Sequence, residues 1–313
     1  MTTRALVVVS YGSHALLSEN LPPWTAPAAR GWQVVVVDNP TTPAERSAVR
    51  ALCDAHGWTL VAPATNLGFG GGCRAGVEAA LGSGATSVVL LNPDARLAPD
   101  AADTLASRVE DDEQLVLAPR IVRPDGTTWF DGAELDPRTG RTASRRPSGP
   151  GTVLWLTGAC LAMSVSAWRR LDGFDDELFL YWEDVELSWR WQQEGGRLAI
   201  ADDLVCVHDQ GGTQRSAADD DRAKSPLYYY YNCRNRLLVA ARHLDGRGRL
   251  AWALRSPAHA RRVVLRGGRR QLLRPWRNVL PATRGTVSGL RALLSVPRAS
   301  GPRPRRPSGN AAG

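Results

Sequence analysis

Two carboxylates, Asp94 and Asp184, stand where side chains could do chemistry. Asp94 ends Leu91-Asn92-Pro93-Asp94, just past an apolar run sized for a buried strand. A carboxylate there is costly unless it meets water or a ligand, and its hard oxygens can hold a divalent cation. Pro93 stiffens the turn and so fixes the carboxylate's aim. Asp38, in Asp38-Asn39 after an earlier apolar run, can accept hydrogen bonds from a nucleoside. Either residue can equally be an Asx-type turn former. Asp184 follows Glu183 at the start of a helical pattern, where amide dipoles favour ionised acids, so helix stabilisation alone accounts for the pair. Yet Phe179, Tyr181 and Trp182 come immediately before it, as a sugar ring and its hydroxyl would require. An alcohol becomes an effective nucleophile only when a base takes its proton. His208, after another apolar run, can be a neutral nitrogen ligand to a metal or an ordinary structural histidine.

Two further constellations compete with these. Gly70-Gly71-Gly72-Cys73-Arg74-Ala75 satisfies G-x-G-x-x-G/A, with an acid, Asp94, about 20 residues on, as in nicotinamide-binding folds. It falls at the third apolar run rather than the first, so the glycines can simply let the chain turn and a helix begin. Tyr228–Tyr231 with Arg234-Asn235-Arg236 places aromatic and guanidinium groups on one helix, for packing or for phosphate recognition.

The elements that must position these residues alternate. Residues 5–9, 33–37, 59–62, 87–91 and 115–118 read as strands apolar on both faces, as parallel strands covered by helices are. Thr42-Pro43-Ala44-Glu45 opens a helix with a capping box, and Gly57 closes it. Residues 72–81, stopped by Gly82, and 100–109 continue the alternation. The class is α/β with a mostly parallel sheet, whose ligands bind beyond the strands' carboxyl ends. Residues 136–151 read as a mobile loop. Strands at 153–157 and 160–165, a short helix at 167–171, a helix at 183–194, strands at 198–201 and 205–207, and a helix at 226–243 follow.

Charge divides the chain. The net charge is +8, but residues 242–313 hold 17 Arg against one acid, Asp245. That segment carries +16, leaving −8 for residues 1–241. At 313 residues and 43% apolar, the composition excludes wholesale disorder and a small disulfide scaffold. No run of 18 apolar residues occurs, which excludes an obvious transmembrane helix. The five cysteines form no CxxC pair, and the N-terminus lacks a signal peptide's apolar segment. Reduced thiols and a cytoplasmic location are expected, peripheral at the inner face of the membrane if the tail docks there.

In this order the motifs resemble the inverting nucleotide-sugar glycosyltransferases of family 2, most closely bacterial rhamnosyltransferase-like members. The pieces are Val7-Val-Val-Ser-Tyr, Val36-Val-Asp-Asn, Asn66-Leu-Gly-Phe-Gly-Gly-Gly, Leu91-Asn-Pro-Asp, Leu156-Thr-Gly-Ala-Cys-Leu, Gly173-Phe-Asp-Asp-Glu-Leu-Phe, Glu183-Asp-Val-Glu-Leu, His208-x-x-Gly-Gly-Thr and Arg234-Asn-Arg-Leu-Leu. They cover about residues 4–240. The resemblance implies a GT-A fold, a Rossmann-like sheet flanked by helices, over residues 1–243. A basic helical extension follows at 244–300, then a disordered tail at 301–313.

The resemblance also implies roles. Ser10, Tyr11, Gly12, Asp38, Asn66, Gly68, Arg74, Asn92 and Asp94 would bind the nucleotide sugar. Asp94 and His208 would hold Mg2+ or Mn2+. Asp184, paired with Glu183, would deprotonate the acceptor, and Gly158, Tyr181 and Trp182 would bind it. The implied reaction moves a sugar, rhamnose from dTDP-rhamnose as the leading reading, to a cell-envelope or lipid-linked glycan. The alternative is a non-catalytic protein binding a nucleotide sugar or nucleic acid.

Three positions depart from the family pattern. Asn92 replaces the first acid of a DxD motif, which implies weaker metal binding. Pro40 follows Asp38-Asn39 where a polar residue is usual, and Cys73-Arg74 replaces Asn-Asn. Outside the resemblance, Arg261-Arg262, Arg269-Arg270 and Arg274 with Trp252, Leu265, Leu272-Leu273 and Trp276 suit an anionic membrane surface better than nucleic acid.

Overall fold

The computed structural model describes residues 3–25, 31–144, 146–147, 149, 151–209, 224–269 and 275–295. Strand β1 (Thr3–Ser10) pairs in parallel with β2 (Trp32–Asp38) and with β4 (Ala85–Leu91), and β3 (Thr59–Val61) extends the sheet beyond β2. On the other side of β4, β11 (Cys160–Ser164) runs antiparallel to β4 and to β6 (Leu115–Val122). The long β12 (Arg197–His208) lies parallel to β6, and β5 (Ala95–Leu97) closes that edge. With β7 (Thr128–Phe130) against β6, the sheet has nine strands among the described residues and is mostly parallel.

Alternation along the strands builds two cores. Leu6, Val8, Val34 and Val36 face α1 (His14–Asn20), α2 (Pro43–His56) and α4 (Pro99–Asp111). Val7, Val9, Val35 and Val37 face α3 (Gly68–Gly82), α5 (Val165–Leu171) and α6 (Glu183–Gln193). Strands apolar on both faces thus mark a sheet covered on both sides.

Helix α2 begins and ends as its residues require. Thr42 accepts a hydrogen bond from the Glu45 amide at 3.2 Å, and Gly57 takes the left-handed conformation. The return half of the capping box is missing, because the Glu45 carboxylate accepts from the His14 amide instead. Helix α3 starts at Gly68, four residues earlier than the periodicity placed it. A Cβ on Gly72 would lie 2.7 Å from Val9 Cγ1, and one on Gly76 would overlap Val7. These glycines let α3 press onto β1, which corrects the dinucleotide-loop alternative.

Two expectations change. Residues 136–151 are not wholly loop: β8 (Ala133–Asp136), β9 (Arg141–Ala143) and β10 (Val153–Trp155) form a small antiparallel sheet. The Asp136 carboxylate ties the β8–β9 turn by accepting from the Arg138 amide and the Thr139 hydroxyl. The strands expected at 198–201 and 205–207 are one, β12, whose register shifts between Ala201 and Val205. Asp202 and Asp203 in that shift point out to Arg146 and Arg108.

The C-terminal segment is helical where described. α7 (Pro226–His243), α8 (Gly246–Leu254), α9 (Ser256–Leu265) and α10 (Leu280–Ser295) pack with α6 and the small sheet. Trp252, expected on a membrane face, is fully buried beside Arg236, whose guanidinium sits 4.6 Å from the ring centroid. Residues 301–313, expected to be disordered, lie outside the described residues. Among the described residues no helix is long and apolar enough to cross a membrane.

Candidate active site

The carboxyl ends of β1, β2 and β4 supply the first group of side chains. Register places Ser10 beside Asp38. Both are buried, and Ser10 Oγ and Asp38 Oδ1 have no hydrogen-bond partner among the described residues. The other Asp38 oxygen accepts from Arg46 Nε at 3.1 Å. Burial pushes the Asp38 carboxyl above its ordinary value, and Arg46 opposes that rise. A buried polar atom without a partner is expensive, so this pair is ready for a ligand's polar edge. Tyr11 stands exposed beside it, and Gly12, at φ +67°, turns the chain away from β1.

Asn39, quoted in a motif but given no role, ties this group to α3. Its amide donates to the Gly68 carbonyl at 3.0 Å and its Oδ1 accepts from the Leu67 amide at 2.9 Å. Asn66 Oδ1 accepts from the Gly68 amide at 2.8 Å. Gly68 has φ +73°, and a Cβ there would overlap the Phe179 carbonyl oxygen. That oxygen accepts from the Phe69 amide at 3.0 Å. The glycine loop and the segment leading to Glu183-Asp184 therefore touch backbone to backbone.

Asp94 and His208, 114 residues apart, meet because β5 pairs with β12: His208 Nε2 lies 3.0 Å from Asp94 Oδ1. Both are buried, His208 Nδ1 has no partner among the described residues, and the Trp129 ring lies 4.5 Å from the imidazole. Sequence reading missed Trp129, which no motif marks. The hard carboxylate oxygen suits Mg2+ or Mn2+, and an imidazole nitrogen beside it can add a second donor. Among the described residues no third His, Cys, Asp or Glu joins them. The fit is thus that of a two-donor site completed by a ligand's oxygens and water. Gly211, Gly212 and Thr213 of the His208 motif lie outside the described residues.

One short segment connects this pair with Asp184. The Ala159 carbonyl accepts from the Asn92 amide at 2.9 Å, while the Gly158 amide donates to Asp184 Oδ2 at 3.2 Å. Asp184 Oδ1 accepts from the Val185 amide at 2.8 Å. The Asp184 carboxylate and the Asn92 backbone, two residues before Asp94, are thus bonded to adjacent residues of one segment. Desolvation pushes the half-buried Asp184 carboxyl up to about 6, against the pull of these amides. Glu183 is buried, and desolvation with the neighbouring Asp184 charge holds it well above the usual range. A neutral Glu183 beside an ionisable Asp184 leaves Asp184 as the proton acceptor.

The turn into α6 is strained. Tyr181 and Trp182 lie at φ +65° and +74°, which costs about 1–3 kcal/mol per residue. Asn235, fully buried on α7, offsets this by donating both amide hydrogens, to the Leu180 carbonyl at 2.9 Å and the Tyr181 carbonyl at 2.8 Å. The Arg-Asn-Arg motif contained this residue, but only the folded chain brings it to the loop. Replacing Asn235 with Ala should lower any turnover that depends on Asp184 at least tenfold, move the acid limb of its pH profile and leave ligand binding at Ser10 and Asp38 unchanged. A purely structural role would change stability alone.

The chain as a whole shows the same architecture as known proteins. A family model described as "Glycosyltransferase like family 2" matches residues 3–224. The chain belongs to glycosyltransferase family 2. This family member is 23% identical over 215 residues to the low-salt glycan biosynthesis hexosyltransferase Agl10 of Haloferax volcanii, covering 66% of the chain and 67% of that relative. It is 29% identical over 199 residues to the N-acetylglucosaminyl-diphospho-decaprenol L-rhamnosyltransferase of Mycobacterium tuberculosis, covering 61% of the chain but only 59% of that relative's length. Among solved structures, GalNAc-T7 with UDP, GalNAc and Mn2+ superposes with a TM-score of 0.61 at 15% identity, over 82% of this chain and 51% of that one. The mannosyltransferase PcManGT of Pyrobaculum calidifontis, in complex with GDP-Man and Mn2+, gives 0.52 at 18% identity, over 93% and 85%. These likenesses establish the GT-A fold.

Two expected site residues of the family 2 chain are engaged elsewhere. The Arg74 guanidinium is taken up by Asp172, Asp176 and the carbonyls of Asp172 and Phe174, because α3 turns it toward the α5–α6 connection. The Trp182 ring turns inward against Trp252 and His259, since its left-handed backbone points the side chain into the core. Tyr181 stays at the turn, its ring 5.1 Å from that of Tyr228.

Proposed function

We propose that this chain transfers a sugar from a nucleotide-sugar donor to a hydroxyl of a lipid-linked or cell-envelope glycan, with inversion. The observation that carries the reading is Asp184, a carboxyl pushed up to about 6 beside a neutral Glu183 and bonded to the same short segment as the β4 end. A base of that pKa takes a hydroxyl proton efficiently near neutral pH. Ser10 and Asp38 receive the nucleoside, Asn66 and Gly68 shape the wall beside it, and Asn92 with Asp94 faces the diphosphate. Tyr11 and Gly12 border the donor, and Gly158 and Tyr181 border the acceptor. Arg74 and Trp182 have no part in this set.

A divalent cation held by Asp94 and His208 would neutralise the charge developing on the leaving diphosphate. Asp184 takes the acceptor's proton while the hydroxyl attacks the anomeric carbon from the face opposite the leaving group. Rhamnose from dTDP-rhamnose is the first donor to try, because the mycobacterial relative is named an L-rhamnosyltransferase with a lipid-linked acceptor. A basic C-terminal segment near an anionic membrane fits such an acceptor.

The test is a thermal-shift panel of nucleotide sugars with and without Mg2+ or Mn2+. A ligand bound only by the native state raises Tm, by about 2.7 kcal/mol of added stability at a hundred times its Kd. One donor should stand out, and its shift should grow with metal. A flat panel would overturn the reading.

A further inference from the structure

Helix α10 has two unlike faces. Ala282, Gly285, Gly289 and Leu293 are buried, and a Cβ on Gly285 or Gly289 would meet the Tyr230 or Arg234 carbonyl of α7. That pairing clamps α10 along α7 in parallel. The outward stripe holds Arg284, Val287, Arg291 and Leu294, all exposed, at helical spacing. Trp276 and Arg277, in the turn that leads into α10, are exposed as well. Leu294 and Trp276 are 84% and 79% exposed, the largest exposures among the described large apolar side chains. No acidic residue occurs after Asp245. Arg261 on α9 and Arg266 just after it add exposed positive charge.

We infer that the outward face of α10, with Trp276 at its start, lies on an anionic lipid surface. Arginine guanidinium groups pair with phosphate oxygens in forked geometry, while the aliphatic and indole groups between them enter the boundary between headgroups and acyl chains. Charge selects this occupant. A second copy of the chain would bring Arg277, Arg284 and Arg291 against the same three residues, and like charges facing each other repel. Exposed valine and leucine between the arginines suit hydrocarbon better than a nucleic-acid backbone.

The geometry also orients the site, a point that rests on the function proposed above. Gly285 opposite Tyr230 and Gly289 opposite Arg234 put the Trp276 end of α10 at the amino-terminal end of α7. There Tyr228 accepts from Arg266 Nη1 at 3.1 Å and meets Tyr181, three residues before Asp184. A bilayer along α10 therefore passes the side of the site where a lipid-linked sugar must enter.

Pelleting of the full chain with sucrose-loaded vesicles tests this. Vesicles of phosphatidylcholine with about a third phosphatidylglycerol should retain the protein at 0.1 M salt, and pure phosphatidylcholine should not. The double variant Trp276→Ser, Leu294→Ser and, separately, Arg284→Gln with Arg291→Gln should each weaken partitioning at least fivefold with Tm unchanged. Retention by both vesicle types alike, variants that bind like the parent, or tighter binding to RNA than to anionic vesicles would each overturn the inference. Donor binding measured without vesicles reads the proposed function separately, so either can fail alone.

Discussion

Asp184→Asn should lower sugar transfer by about 10²–10⁴-fold, the usual contribution of a positioned general base, while binding of the nucleotide sugar persists. The amide keeps one oxygen for the Gly158 N–H, while its NH2 replaces the oxygen that accepted from the Val185 N–H, so one hydrogen bond worth about 1 kcal/mol goes with the proton acceptor. In the parent, the carboxyl titrates at about 6, so kcat/KM should fall as pH drops through that value and level off above it. Stability moves the other way. A carboxyl whose folded pKa lies above its unfolded value favours folding only when protonated. Its native-state penalty is therefore absent below about pH 4 and complete above about pH 6. The Asn variant should melt higher than the parent at pH 8, by of order 1–3 kcal/mol, with the advantage gone at pH 4. Unchanged turnover, or a variant less stable than the parent at pH 8, would remove Asp184 from its role.

Gly68→Ala should be the most damaging small substitution in the site. The residue sits at φ +73°, where a side chain costs about 1–2 kcal/mol. Its new methyl would also run into the Phe179 carbonyl, and that oxygen belongs to backbone already held by the Phe69 amide. Relieving the overlap means moving α3 away from the turn that carries Tyr181–Asp184, at a further ~1–3 kcal/mol. A loss of about 3 kcal/mol in urea unfolding is expected, together with weakened donor binding, because Asn66 and Asn39 hold the same peptide. Gly82→Ala is the control. It lies at the end of the same helix with nothing within 4 Å of the added carbon, so it should leave stability unchanged or raise it by a few tenths of a kcal/mol. Equal losses in the two variants would mean that helix propensity, not the close approach, governs position 68.

Most of the central sheet was readable along the chain because its strands are apolar on both faces, a pattern that follows directly from burial between two helical layers. The register shift within β12 was not readable: Asp202 and Asp203 broke the apolar run, and two strands were expected where the folded chain continues one. In the small sheet β8 and β9 hid for a similar reason, whereas β10 lies within the strand expected at 153–157. The β8–β9 turn, Pro137-Arg138-Thr139-Gly140, is polar, and the two strands are too short to show a period of two. At the site, Asp38, Asp94, Asp184 and His208 drew notice by type and by their place after apolar runs, whereas Trp129 and the part played by Asn235 did not. Nothing near either in sequence marks a ring over His208 or two amide hydrogens aimed at a distant turn.

The order of residues by itself determined the α/β class, the membership in glycosyltransferase family 2 and the ends of strands where polar groups had to gather, since periodicity and local turn chemistry act within a few residues. Which of those groups meet was decided only by the tertiary structure. The β5–β12 pairing joined Asp94 to His208, the Gly158 and Ala159 peptides took up the Asp184 carboxylate and the Asn92 amide, and packing engaged Arg74 and Trp182 with other partners. Contacts between residues a hundred positions apart depend on strand order and on how closely backbones can approach, and neither is written in any local stretch of the chain.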